Sequence, residues 1–260
     1  MDVYDFYKPG DKITPIVDGR YSIDCYLEAM KGAYDNVKSQ LRDYYPEIDG
    51  QAVTDDFYFV FHTPFPSMAK KAGAFLLVHE MRNKAIMKEI ISRIGPEPAK
   101  KTDEYNRWLK MFMSTDKFSE FWKKIELSIE ASKYVGNIYT GSLFLGFLSL
   151  LEQAYEKGIE LSGKKIAFGG YGSGAAACAY FGSVQPQWKN AISHDLATQL
   201  KNALCLSYDE YTKLHSWHTK HVLLNEKIEV KSMVDNNNSI DKGKFHLIKI
   251  DRGKRIYQQR

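Results

Sequence analysis

The run Phe57-Tyr58-Phe59-Val60-Phe61 constrains this chain more than any other segment. It is almost wholly apolar, rich in β-forming residues, and stopped by Pro64 and Pro66, so it reads as a buried strand. The strand delivers His62 and Thr63 to the point where a rigid element meets a loop, which is where chemistry usually sits. A second segment, Gly136-Asn137-Ile138-Tyr139-Thr140, sets a side-chain amide just ahead of an apolar stretch. Both polar groups suit holding a carbonyl, and no convincing nucleophile accompanies them. The pattern is that of half an active site.

Periodicity supplies the surroundings. Residues 1–17 carry two prolines and no repeat, so they read as an extended lead-in. From Ser22 the positions Ile23, Tyr26, Leu27, Met30, Tyr34, Val37 and Leu41 fall on one helical face, ended by Tyr45-Pro46. One long helix is expected from about Ser67 to Ile94, closed by Gly95-Pro96. Two amphipathic helices follow, marked by Trp108, Phe112 and Met113, then by Phe118, Phe121, Trp122, Ile125 and Ile129. Leu143 to Tyr155 is apolar nearly all round and reads as a central buried helix. A strand Ile166–Phe168, a glycine turn over 169–174, a helix Ala175–Phe181 and a helix from about Asn190 to Leu206 complete the middle. A polar loop over 235–241 precedes a terminal hairpin, Phe245–Ile250 and Arg255–Tyr257, across Asp251-Arg252-Gly253. The order is mixed α/β, and the simplest account is one domain over 1–260 with a helical insertion at about 95–130.

Composition removes several classes. A hydrophobic share of 44% supports a real core, and a net charge of +4 implies no nucleic-acid partner. Cys25, Cys178 and Cys205 lack metal-site spacing, and their odd number argues against a disulfide scaffold. All three read as core residues on helix faces. The acidic opening Met1-Asp2-Val3-Tyr4-Asp5 is no signal peptide, and the longest apolar run, Leu143 to Leu151, is far too short to cross a membrane. A cytoplasmic protein is the default expectation, with no metal.

Each polar candidate has a structural alternative. His62 either presents its ring to a thioester or ketone oxygen or merely caps the strand. Asn137 polarises a carbonyl or serves as a turn or N-cap residue. Ser22 is a substrate contact or an N-cap. Lys70 and Lys71 stand at a helix start, where cations are unfavourable, so they serve a ligand phosphate or form a solvated pair. The turn Gly169-Gly170-Tyr171-Gly172-Ser173-Gly174 fits neither a dinucleotide fingerprint nor a nucleophile elbow, since Tyr171 and Ala175 occupy positions that need glycine. His215, His218 and His221 recur every three residues, a step that drifts about 60° on a helix, and read as a solvated helix end.

Taken together, the segments resemble the hydroxymethylglutaryl-CoA synthases of the thiolase superfamily. The resemblance runs collinearly through Asp5-Phe6-Tyr7-Lys8-Pro9, Ile16 to Ser22, Cys25-Tyr26-Leu27, Phe61 to Phe65, Gly136 to Thr140, Gly163 to Ile166, Tyr171-Gly172-Ser173-Gly174 and Phe245 to Arg260. It covers nearly all of this chain but only the C-terminal half of the family's length. It implies one half of a thiolase-like fold, layered α/β with a mixed sheet. It also implies an acyltransferase chemistry in which a Claisen-type condensation joins acetyl-CoA to acetoacetyl-CoA. The CoA thioesters are substrates and no separate cofactor is implied.

In the family a cysteine carries the acetyl group and a glutamate acts as acid and base. Both lie in the N-terminal half, and neither motif appears here. The resemblance assigns His62 to polarising acetoacetyl-CoA, Asn137 and Ser22 to contacting substrate, and Lys71 to the CoA side. Ser67 and Gly170 depart from the pattern, which has a lysine and a serine there, and each change weakens ligand contacts by about 1 kcal/mol. The expected partner is a chain supplying the N-terminal half, or another copy in an oligomer. The alternatives are a non-catalytic structural subunit of a thiolase-like complex and a truncated remnant. The expected setting is the mevalonate pathway of isoprenoid biosynthesis rather than β-branching in polyketide assembly.

Overall fold

The computed structural model of the protein describes residues 3–5, 16–44, 53–172, 174–203, 205–217, 227–229, 245–251 and 254–259. The backbone forms two compact units, Met1–Asn202 and Ala203–Arg260. The first opens with helices α1 (Gly19–Tyr44) and α2 (Val53–Asp56), strand β1 (Phe57–Phe61), and helices α3 (Pro66–Met81) and α4 (Ala85–Ile94). Helices α5 (Asp103–Phe112), α6 (Asp116–Trp122), α7 (Glu126–Ile129), α8 (Ser132–Val135) and α9 (Gly141–Glu156) follow. Strands β2 (Lys165–Gly172) and β3 (Ala176–Ser183), a 3₁₀ turn (Trp188–Ala191) and α10 (Leu196–Lys201) close the unit. The second unit holds α11 (Tyr208–Trp217) and the antiparallel sheet β4 (Lys227–Glu229), β5 (Phe245–Asp251) and β6 (Lys254–Gln259).

The first unit is built around a mixed sheet of order β1-β2-β3. β1 runs parallel to β2 from Phe57↔Lys165 to Phe61↔Gly169, and β3 returns antiparallel on the other side of β2. The absence of alternation in β1 has its reason here. Phe57, Phe59 and Phe61 enter one core with α1 and α3, whereas Val60 enters a second with α9. A strand covered on both faces must be apolar on both. The approach of α9 is close, because a Cβ on Gly146 would meet Val60 Cγ1 at 3.1 Å.

α1 carries the expected face, with Tyr26, Leu27, Met30, Tyr34 and Leu41 buried. It begins three residues ahead of Ser22, because Asp18 Oδ1 accepts from the amides of Arg20 and Tyr21 at 2.9 and 3.2 Å. Asp18 is therefore the cap, and Ser22 lies inside the first turn. An ionic cluster staples α1 to α3. Lys31 and His79 both reach Asp35, at 2.8 and 2.7 Å, while Tyr34 and Lys38 converge on the buried carboxylate of Glu80.

Four expected elements differ. The long helix 67–94 is two helices, because the chain leaves helical geometry in the polar turn at Arg82–Lys84, where Lys84 is extended and Arg82 pairs with Glu97 at 2.7 Å. The helix marked by Phe118 to Ile129 breaks at 123–125, where the Lys124 carbonyl accepts the Phe59 amide of β1 at 2.9 Å. The segment Ala175–Phe181 is strand rather than helix. Gly174 and Ala175, at φ of 77° and 54°, turn the chain back onto the open edge of β2. Among the described residues of 190–206 there are only the end of a 3₁₀ turn and the short α10, whose start is held by Leu196 N–H donating to Glu152 at 3.0 Å. In consequence Cys178 and Cys205 are exposed, and Cys25 alone is a core residue.

In the second unit the terminal hairpin forms as expected, with Asp251 opposite Lys254. His215 lies in the last turn of α11. His218, His221 and the 235–241 loop lie outside the described residues. Among the described residues no cluster of His, Cys, Asp and Glu is placed to hold a metal ion, and no helix is long and apolar enough to cross a membrane.

Candidate active site

The end of β1 is locked from three directions. His62 N–H donates to Gly169 O at 2.7 Å, which extends the β1–β2 ladder by one bond. The Tyr26 hydroxyl donates to His62 O at 2.8 Å from α1. From α9, Ser142 Oγ accepts the Thr63 amide at 3.1 Å and lies 2.8 Å from His62 Nδ1. The Thr63 hydroxyl in turn donates to Phe61 O at 2.8 Å. With its backbone paired in this way, the chain can leave the sheet at Pro64 without orphaned polar groups.

His62 is buried beside the tilted rings of Tyr26 and Tyr171, whose centroids stand 6.4 and 6.3 Å from its own. Burial lowers its pKa below the usual histidine value, against an opposing hydrogen bond with the Tyr139 backbone. The imidazole is thus neutral at physiological pH. A neutral imidazole offers one donor and one acceptor, which suits it to hydrogen-bonding a carbonyl oxygen.

The ring opens onto a cavity of about 550 Å³ whose walls include Ser22, Tyr26, His62, Asn137, Tyr139 and Tyr171. Three of the four residues that the sequence resemblance singles out therefore share one cavity. Asn137 is exposed on the loop before α9 and accepts the Tyr139 amide on Oδ1 at 2.9 Å. That bond steadies a loop in which Gly136 and Tyr139 both take positive φ, 73° and 53°. It also leaves the Asn137 NH₂ group as a donor.

The fourth residue, Lys71, is half-buried on α3 and is not part of the cavity wall. Its charge acts on Asp24 of α1, where it and Lys101 oppose the upward pKa shift that burial imposes. Lys70 stands over the Trp122 ring at 5.3 Å. Ser67 is exposed. Gly170 has a reason of its own: β3 places Cys178 directly opposite, and a Cβ on Gly170 would lie 2.9 Å from Cys178 Sγ.

Sequence reasoning missed two members of the site. Asp5 is buried behind the cavity wall and accepts from Ser22 Oγ at 3.2 Å and from the Tyr171 hydroxyl at 2.7 Å. Burial, and next this bond, raise the Tyr171 phenol well above its ordinary pKa, so it remains a donor. The other carboxylate oxygen, Oδ1, is buried with no partner among the described residues. Ser142 is the second. Neither position has a local signal beyond a polar residue beside an apolar one. The only buried thiol, Cys25, has its pKa raised chiefly by burial, which removes it as a nucleophile.

A mixed sheet with a polar cavity at its strand end, flanked by one amphipathic and one apolar helix, defines half of a thiolase-like α/β fold. The chain belongs to the hydroxymethylglutaryl-CoA synthase family: the sequence pattern "Hydroxymethylglutaryl-coenzyme A synthase C terminal" matches residues 1–260. A hydroxymethylglutaryl-CoA synthase of Haloferax volcanii is 33% identical over 229 residues, covering 84% of this chain and 49% of that protein. The human mitochondrial synthase is 30% identical over 267 residues, covering 96% and 51%. The solved structure of MvaS in complex with 3-hydroxy-3-methylglutaryl coenzyme A superposes on the whole chain and 55% of its own, with TM-score 0.68 and 25% identity. The chain spans about half the length of the curated relatives it matches.

Proposed function

We propose that this chain is the C-terminal half of a hydroxymethylglutaryl-CoA synthase, condensing acetyl-CoA with acetoacetyl-CoA alongside a partner half that carries the cysteine and glutamate. The observation that carries this reading is the neutral, buried His62 opening onto the same cavity as Ser22 and Asn137. In the condensation a carbanion on the enzyme-bound acetyl group attacks the ketone of acetoacetyl-CoA, and negative charge gathers on the oxygen. Fixed N–H donors in a water-poor pocket stabilise that charge more than bulk water does. Buried His62 is such a donor, and the exposed Asn137 amide adds a second donor at the cavity wall. That MvaS was solved with 3-hydroxy-3-methylglutaryl coenzyme A, and another synthase with CoA, supports a CoA thioester ligand for this cavity too.

A partner has a place to bind. Phe147 of α9 packs edge-on against Phe168, and Tyr180 stacks on Phe168 from β3 at 4.6 Å. One turn before Phe147, Phe144 is 66% exposed, and Tyr180 is 39% exposed. An apolar helix face left in water is the mark of an interface. This is where α9 departs from the fully buried helix its sequence suggests.

One observation favours a second reading. The Gly170 backbone offers no hydroxyl where the resemblance expects one, which suits a non-catalytic subunit of a thiolase-like complex. The two readings separate in one experiment. The chain is combined with a cysteine-bearing N-terminal half, and acetoacetyl-CoA consumption is followed with and without His62→Ala. A large loss of rate supports the catalytic reading, and an unchanged rate supports the structural one. The proposed setting is the mevalonate pathway in the cytoplasm.

A further inference from the structure

Three polar groups meet in the interior at the end of β1: His62 Nδ1, the Thr63 amide and Ser142 Oγ, all on buried residues. Their directions can be assigned. A backbone N–H can only donate, so the 3.1 Å contact from Thr63 occupies a lone pair of Ser142 Oγ. The serine hydrogen then needs an acceptor, and among the described residues the recorded one is His62 Nδ1, at 2.8 Å. Nδ1 therefore holds the ring's lone pair and the ring proton sits on Nε2, which is then the N–H that meets the Tyr139 backbone until a substrate oxygen displaces that contact. Were the proton on Nδ1, the serine hydrogen would be buried without that acceptor, at a cost that folded proteins rarely tolerate.

We infer that Ser142 is a positioning residue that fixes His62 in its Nε2–H tautomer, so that the ring offers a donor rather than a lone pair to a substrate carbonyl oxygen. The opposite tautomer would turn a lone pair toward that oxygen and repel the charge that gathers there. Serine suits the position because it bridges two elements. It rides on the first turn of α9, while both its partners lie at the end of β1. The same side chain thus holds the loop backbone and sets the polarity of the ring. The functional part of this inference rests on the proposed role of His62, whereas the tautomer itself does not.

The test is imidazole ¹⁵N spectroscopy on the whole chain labelled at histidine, with the His62 signals assigned by their loss in His62→Gln. The wild-type pattern is expected to be Nε2–H. Ser142→Ala is expected to shift it toward Nδ1–H or a mixture, and Ser142→Thr, which keeps the hydroxyl, to restore it. In the reconstituted enzyme Ser142→Ala should lower kcat by about 10- to 100-fold with KM little changed, the size typical of losing an orienting partner. An Nδ1–H pattern in the wild type overturns the inference, and so does an unaltered ¹⁵N pattern in Ser142→Ala. Should that variant not fold, the wild-type spectrum decides alone. The expected spectrum with no condensation activity in any reconstitution would instead overturn the proposed function.

Discussion

The Tyr26 hydroxyl donates to the His62 carbonyl at 2.8 Å, so the longest helix of the first unit holds the strand end that carries the candidate polarising group. Both partners are buried, and burial raises the Tyr26 phenol well above its ordinary pKa. The phenol therefore keeps the proton it donates through the physiological pH range. Tyr26→Phe keeps the ring and removes only the donor, leaving a buried carbonyl short of its partner. A loss of about 1–3 kcal/mol in folding stability is expected, read from urea unfolding. No change in the unfolding midpoint would show that water replaces the hydroxyl.

Stability should also depend on pH through His62. Its folded pKa lies below the unfolded value near 6.5, chiefly because burial disfavours the imidazolium. The neutral ring's contribution is therefore complete above the unfolded pKa and is lost as pH falls through the folded one. Comparing wild type with His62→Gln isolates this from other titrating groups, such as Asp35. The stability gap between the two proteins should narrow from pH 8 to pH 5, and a gap that stays constant would count against the buried neutral ring.

Gly170 and Cys178 form a size-matched pair across β2 and β3. Gly170→Ser brings a Cβ to 2.9 Å from Cys178 Sγ, an exposed thiol that can turn aside, so the cost should be no more than about 1 kcal/mol. Adding Cys178→Ala opens the space and should recover most of the loss. A double-mutant cycle in thermal or urea unfolding measures the coupling, and additive effects would show that the strands move apart instead.

Phe144 supplies a prediction about assembly. Its ring is largely in water, so Phe144→Asp should change the stability of the isolated chain by only about 0.5 kcal/mol. The same substitution should weaken capture of an N-terminal half at least tenfold, because it buries a charge at an apolar contact. Equal capture of both proteins in a pull-down or by calorimetry would move the interface elsewhere.

Local pattern made several elements legible. The unbroken apolar run made β1 a buried strand, the one-sided spacing from Ile23 to Leu41 set the face of α1, and Asp251-Arg252-Gly253 marked the last hairpin. His62 and Asn137 stood out because each is polar beside an apolar element. The segment Ala175–Phe181 misled because its small residues suit helix and strand alike. The open edge of β2, which a local reading does not register, decided between them. The break at 123–125 has the same origin, since the Lys124 carbonyl is taken by Phe59, far away in the chain.

By itself, then, the sequence determined the apolar strand, the amphipathic helices and the polar residues offered at their ends, because burial periodicity is written residue by residue. Tertiary structure alone decided that Asp5 meets Tyr171 and that Ser142 meets His62. Those bonds join residues 166 and 80 positions apart. A hydrogen bond closed over such a distance depends on how the elements pack, and leaves no trace in the spacing of either partner's neighbours.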